Sequence, residues 1–261
     1  MFAMDVKRPG MVYAAVKRTP VAGGTLRRVD DNAARAMKGV IDVVKVGPSS
    51  AAGLVGTYSA GDTIAVVADS YWTAEKALAS LKLEWNTEGK ERVSSESIFE
   101  QFDRDITAGV DRANDVAMGD ATAAFDSAAT VLTADYRVPY LAHTCMEPPN
   151  ATAEVFADRA EIWVGCQNPL GFRQHLAANL GLDVQQVTLH NYFMGGGFGR
   201  KSNADYALQA AMIARKVGRP VQMVYSRAED IKQDFYRPAV QSRFKACLLY
   251  TSPSPRDLAR S

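Results

Sequence analysis

Met194-Gly195-Gly196-Gly197-Phe198-Gly199-Arg200-Lys201 sets four glycines around one aromatic residue and ends in two cations. A strand-like run, Val187-Thr188-Leu189-His190-Asn191-Tyr192, precedes it, and a helix-like segment, 203–217, follows. Strand, glycine loop and helix in that order predict a β-to-α junction. Glycine permits positive φ and lets another group approach the main chain. A helix opening beyond it presents unpaired N–H groups and a partial positive charge. Together these suit an anion such as a phosphorylated cofactor; a glycine-rich turn that only packs closely has the same spelling. Two familiar motifs fail on spacing. A P-loop has Gly directly before Lys-Ser, whereas Arg200 precedes Lys201-Ser202. In a G-x-G-x-x-G fingerprint the third glycine would fall on Arg200 or on Ser202.

Working outward, the chain reads as α+β. Residues 1–86 predict one unit. Its strands are 11–16, 40–46 and 63–68, the last apolar enough for burial on both faces. Asp30 or Asp31 can cap a short helix closed by Gly39, and Ala74, Ala77, Leu78 and Leu81 have helical spacing. Residues 87–127 are more polar and read as a connector, with one amphipathic helix over 94–106. From 128 to 246 a second unit follows: a strand over 131–138, a hairpin over 151–164 and a helix that Asn168 caps and Pro169 opens. Ser202-Asn203-Ala204-Asp205 resembles a capping box with Asp in place of Glu. Its helix is apolar nearly all round and is expected to be deeply buried. Residues 247–261 are rich in Ser, Pro and Arg and read as an unstructured, artefactual tail.

The 261 residues suffice for one large domain or two ordinary ones, and 47% hydrophobic content is that of a globular chain. A net charge of +1 gives no reason to expect nucleic acid or an anionic membrane. No apolar run approaches the ~20 residues of a membrane helix. Cys145, Cys166 and Cys247 include no C-x-x-C, so they suggest neither a disulfide framework nor an iron–sulfur or zinc site. Cys145 beside His143 could be a metal pair, but a buried thiol is the better reading. Hydrolase chemistry has no support, since there is no G-x-S-x-G and no Ser-His-Asp order.

Three further segments add weight: His143-Thr144-Cys145-Met146-Glu147-Pro148, Trp163-Val164-Gly165-Cys166-Gln167 and Asp234-Phe235-Tyr236-Arg237-Pro238. In this order around the glycine loop they resemble the molybdenum-cofactor subunit of the xanthine dehydrogenase and aldehyde oxidase family, in its isoquinoline 1-oxidoreductase branch. The likeness runs from about Val6 to Lys245, and Pro9-Gly10-Met11-Val12-Tyr13-Ala14 resembles the entry to that family's a/b hammerhead domain.

The resemblance implies an a/b hammerhead-like domain followed by part of a molybdopterin-binding domain. It implies that Gln167 donates to an oxo ligand of molybdenum and that Phe198 lines the approach to the metal. Gly195, Gly196, Gly197 and Gly199 would bring the backbone against the cofactor, and the fork of Arg200 could bind its phosphate. No side chain ligates the metal. The implied cofactor is molybdenum–molybdopterin in its cytosine dinucleotide form, and the implied partner is a small 2Fe-2S subunit. The substrate would be an aldehyde or N-heterocycle, oxidised with water-derived oxygen. Ser202 stands where xanthine dehydrogenases carry a purine-binding glutamate, which argues against purines, and Lys201 stands where the branch often has arginine. Glu147 is expected to order a loop, and His143 to satisfy a buried polar network. The family's general-base glutamate lies beyond the D-F-Y-R-P segment. The chain therefore reads as an internal fragment, inactive alone and either cytoplasmic or periplasmic in origin. A non-catalytic assembly module and a nucleotide-binding protein are the rival readings.

Overall fold

The computed structural model describes residues 1–47, 61–89, 93–110 and 118–248, with the backbone alone at 49–53 and 56–60. The strands are β1 (Val12–Arg18), β2 (Thr25–Asp30), β3 (Val40–Val46), β4 (Ser49–Gly53), β5 (Gly56–Ala60), β6 (Thr63–Ala68), β7 (Lys82–Asn86), β8 (Thr130–Val138), β9 (Asn150–Val155), β10 (Ala160–Val164), β11 (Val187–Asn191), β12 (Val221–Val224) and β13 (Val240–Leu248). The helices are α1 (Asn32–Arg35), α2 (Tyr71–Ala79), α3 (Ser95–Ala108), α4 (Ala121–Asp126), α5 (Pro169–Leu180), α6 (Asp205–Val217) and α7 (Arg227–Lys232). The mixed α and β class is the expected one.

Strand pairing, not chain order, sets the compact units. A seven-stranded sheet runs β11-β10-β9-β12-β1-β6-β3. β1 lies inside it, hydrogen-bonded antiparallel to β6 and parallel to the middle strand β12, more than two hundred residues on. One unit is therefore Met1–Glu91 with Ala142–Tyr236, and the other is Arg92–Leu141 with the chain from Arg237. The breaks drawn at 86 and 128 from composition do not separate compact bodies. Periodicity marks a strand but does not name its partner.

In the larger unit the alternation of β1 sorts residues to two faces. Val12, Ala14 and Val16 join α5 and α6 in one core, whereas Ala15 joins α2 in another with Ile64, Val66 and Ala68. All six residues of β6 are buried, as its apolar run predicts for a strand covered on both sides. α6 is buried over most of its circumference, and among its buried residues are the polar Asp205 and Gln209.

The smaller unit pairs β8 with β13. The segment expected to be a connector supplies α3 and α4 to it. Ser94 and Ser97 form a reciprocal cap on α3. Asp103 of α3 holds Arg137 at 2.5 Å and Arg243 at 3.0 Å. Cys247 and Leu248, assigned to the tail from composition, are the last residues of β13, paired with Val131 and Thr130. The rest of that expected tail, 249–261, lies outside the described residues.

Candidate functional site

β10 and β11 are parallel neighbours, so the junctions that leave them open at one edge of the sheet. In an α/β sheet, ligands bind at such carboxyl ends. The first junction is short. The Asn168 side chain accepts from Gly171 N–H at 3.1 Å, and Pro169 fills the first turn of α5. The second carries the glycine loop and a 3-10 turn, Arg200–Ser202, into α6. Direct bonds stitch the two together. Gln167 N–H donates to Lys201 O at 2.9 Å, and Gly199 N–H donates to Gln167 Oε1 at 3.0 Å. Tyr206 Oη donates to Gly165 O at 2.9 Å.

The loop is shaped by left-handed residues and by close approach. Arg200 N–H donates to Gly197 O at 2.8 Å, closing a turn whose central residues are Phe198 (φ 52°) and Gly199 (φ 100°). Both have the sign of a type I′ turn. A non-glycine residue there costs about 1–3 kcal/mol, yet Phe198 is 63% exposed. Gly197 is glycine for a different reason from the positive φ that the sequence suggests. A Cβ on it would stand 2.7 Å from Gln167 Oε1. A Cβ on Gly195 would stand 2.6 Å from that of Glu147. Among the described residues, the N–H groups of Gly196, Gly197 and Phe198 donate to no protein group. The loop thus offers a run of free donors beside the Gln167 amide.

Beneath the loop lies a layer of buried charge. Glu147 Oε2 accepts from Gly195 N–H and from Lys201 Nζ, both at 2.9 Å, and Oε1 accepts from Asn150 at 3.1 Å. Burial alone pushes this carboxyl up, but those bonds outweigh it and hold it below the usual carboxylate range. The loop-ordering role expected for Glu147 is therefore seen, on the glycine loop as well as beside Pro148. Arg200 is 1% exposed. Its two terminal nitrogens reach the two oxygens of Asp205 at 2.8 and 2.9 Å, and its Nε lies 3.1 Å from Asp234. Burial pulls the guanidinium down, but the Asp205 charge and hydrogen bonds push it well above its ordinary value. The fork expected to face a phosphate is thus turned inward onto carboxylates.

Asp205 has a second cation, Arg18 Nη1 at 3.5 Å, from the end of β1. The capping box read from Ser202 to Asp205 does not form. α6 begins at Asp205 behind Ala204, with no side-chain cap. Two arginines outcompete the local backbone for that carboxylate. Asp234 accepts from the His143 backbone N–H and approaches its Nδ1 at 3.1 Å, the buried polar network expected of His143. Arg227 donates to Cys145 O at 2.5 Å and to Met146 O at 3.1 Å, fixing the strap that carries Glu147. Cys145 is a buried thiol whose Sγ lies 3.5 Å from Gly197 O, and burial pushes its pKa up. Cys166 is pushed up to about 11 by burial. Neither thiol is a ready nucleophile. His175 is half-buried, and burial lowers its pKa.

Sequence reasoning singled out Gln167 and residues 195–200, which the fold brings side by side, but passed over Asp205 as a buried counter-charge and Lys201 as the partner of Glu147. One signal was available: a lone acid opening an otherwise apolar helix asks for a buried cation.

Comparisons with known proteins bear on this geometry. Residues 103–248 match the family described as the molybdopterin cofactor-binding domain. The chain is 31% identical over 257 residues to the isoquinoline 1-oxidoreductase subunit beta of Brevundimonas diminuta, covering 95% of this chain and 31% of that one. It is 28% identical over 246 residues to the aldehyde oxidoreductase molybdenum-binding subunit PaoC of Escherichia coli, with 88% and 33% covered. The fold matches that of the aldehyde oxidoreductase from Desulfovibrio gigas with a TM-score of 0.69 at 20% identity, over 95% of this chain and 30% of that one. Quinoline 2-oxidoreductase from Pseudomonas putida gives 0.67 at 20% identity, with 95% and 35% covered. The chain spans about a third of the length of these relatives.

Proposed function

The chain belongs to the molybdopterin cofactor-binding domain family, among the molybdenum-binding subunits related to xanthine dehydrogenase and aldehyde oxidase, and we propose that the paired junctions after β10 and β11 form one wall of its molybdenum–molybdopterin site. The observation that carries this reading is the run of unpaired N–H groups on Gly196, Gly197 and Phe198 beside the Gln167 amide. When bound, the cofactor supplies the oxidation of an electrophilic carbon with oxygen derived from water.

The chain's own residues bind and orient. The loop N–H groups are donors for oxygen atoms of the cofactor, and they need no rearrangement to act. Because Gln167 Oε1 is already taken by Gly199, the amide orientation is fixed and its NH2 is left as the outward donor. A donor so placed orients a metal's oxygen ligand without ligating the metal. Phe198 holds an apolar ring at the mouth, where it excludes water. Arg200 serves the site by bracing the loop on Asp205 and Asp234 rather than by holding phosphate.

The whole protein would oxidise an aldehyde or N-heterocycle and pass electrons to a 2Fe-2S subunit, with the cofactor in its cytosine dinucleotide form. In the holoenzyme, Gln167→Ala should retain molybdenum while turnover falls about 10–100-fold, the usual weight of an outer-shell hydrogen bond at a metal site. Metal analysis beside steady-state rates checks this. Unchanged turnover, or loss of the metal itself, would remove Gln167 from the role.

A further inference from the structure

The two ends of the glycine loop meet on a single atom. Gly195 opens the loop and Lys201 closes it, and both donate to Glu147 Oε2 at 2.9 Å. Glu147 also donates its own N–H to Gly195 O at 3.0 Å, so the contact at the loop's entry is made in both directions. At the exit, the backbone of Lys201 accepts from Gln167 N–H at 2.9 Å. One carboxylate is therefore linked, through one lysine, to both the loop and the glutamine that faces it. The clasp is shut away from water: Glu147 is 8% exposed and Lys201 1%. A buried ion pair stabilises little over an apolar pair of the same volume, because desolvating both charges offsets their attraction. Its distinctive property is directional, since an apolar pair could not accept the Gly195 N–H.

We infer that Glu147 is a positioning residue: its carboxylate, clasped by Lys201, sets the spacing between the loop's free N–H groups and the Gln167 amide. The inference rests on the proposed cofactor site for its purpose, but not for its geometry. It assigns Glu147 no contact with substrate or cofactor. The loop could keep its fold without the clasp and still present its donors at the wrong height.

The test compares the chain with its Glu147→Gln, Lys201→Met and doubly substituted forms. Each single variant strands one buried group and can lose stability broadly. The double variant removes both charges at nearly constant volume and keeps the sheet's packing. Amide hydrogen exchange is read at Gly199 and Arg200, whose N–H groups bond to Gln167 and Gly197 and never touch Glu147. In the double variant these two amides should exchange about 10-fold faster while amides of β1 and β6 stay within about 2-fold, the signature of local rather than global opening. Unchanged exchange at Gly199 and Arg200 would overturn the inference. So would loss of protection in the sheet in step with the loop, which is what a purely structural ion pair would give. A second arm measures molybdenum and pterin content after purification of the holoenzyme. The double variant should retain less of both than the parent. If the parent itself carries neither while the exchange pattern holds, the clasp stands and the cofactor reading falls.

Discussion

The two junctions at the carboxyl edge of the sheet do the same topological job and are built in opposite ways. The junction after β10 is local. Asn168 caps its own helix at Gly171, three residues on, and Pro169 supplies the φ of the first turn, so the helix start needs no distant side chain. The junction after β11 is held from elsewhere: by Glu147 from the preceding strap, by Arg18 from β1 and by Asp234 beyond α7. The short one needs only side-chain rules that operate in any helix. The long one leaves the N–H groups of Gly196, Gly197 and Phe198 without protein acceptors among the described residues, and its own residues then lack partners for the loop's remaining polar groups. Distant charges fill that gap. If the free donors serve the proposed cofactor, the loop that reserves them is braced from behind.

The largest effect is expected where that bracing is densest. Asp205→Ala leaves Arg200 and Arg18 buried with less counter-charge, a change that typically costs about 3–5 kcal/mol. Urea denaturation of the chain should show it, and a loss below 1 kcal/mol would mean that the ion network is incidental to stability. Gly197→Val comes next. Its Cβ would meet Gln167 at 2.7 Å, and overpacking of this kind costs about 1–3 kcal/mol. The holoenzyme carrying it should lose its cofactor, as read by metal content. Asn168→Ala breaks the local junction instead, at about 1 kcal/mol. It should leave the Gly195 amide, which bonds to Glu147, unperturbed in NMR spectra, and a large shift there would show that the Glu147 bracing depends on the local cap.

The smallest effect separates the junctions by pH. The Glu147 carboxyl is held below its ordinary value, so the stabilisation it gives is complete above the unfolded-state value and is lost as pH falls through the lowered one. The Gly195 amide should therefore titrate below the usual carboxylate range. The Gly171 amide, bonded to a side chain that does not ionise, should stay fixed.

Much of this was legible in the chain. The spans 40–46 and 63–68, the helix opened by Asn168 and Pro169, and the glycine loop lie where local signals put them, because turn chemistry and periodicity act over a few residues. The resemblance to molybdenum-cofactor subunits was carried by short motifs, and the family match agrees with it. Three features were beyond local reading. Residues 87–127 looked like a connector because they are more polar, and their helices indeed bury no residue, yet Asp103 ties α3 to both strands of the smaller unit. Arg200 looked like a phosphate ligand because its planar fork suits phosphate and it follows a glycine loop. Asp205 looked like a cap because its spacing from Ser202 is right.

By itself the sequence determined which segments are strands and helices, where the loop falls, and which residues could face one another across a site. Only the tertiary structure decided that β1 pairs with β12, that Arg200 turns inward, and that one oxygen of Glu147 gathers both ends of the loop. The division has a physical cause. Propensity, capping and glycine conformation are properties of a few neighbouring residues. The choice of partner for a strand edge or a buried charge is settled by what else is left unpaired when the chain closes on itself.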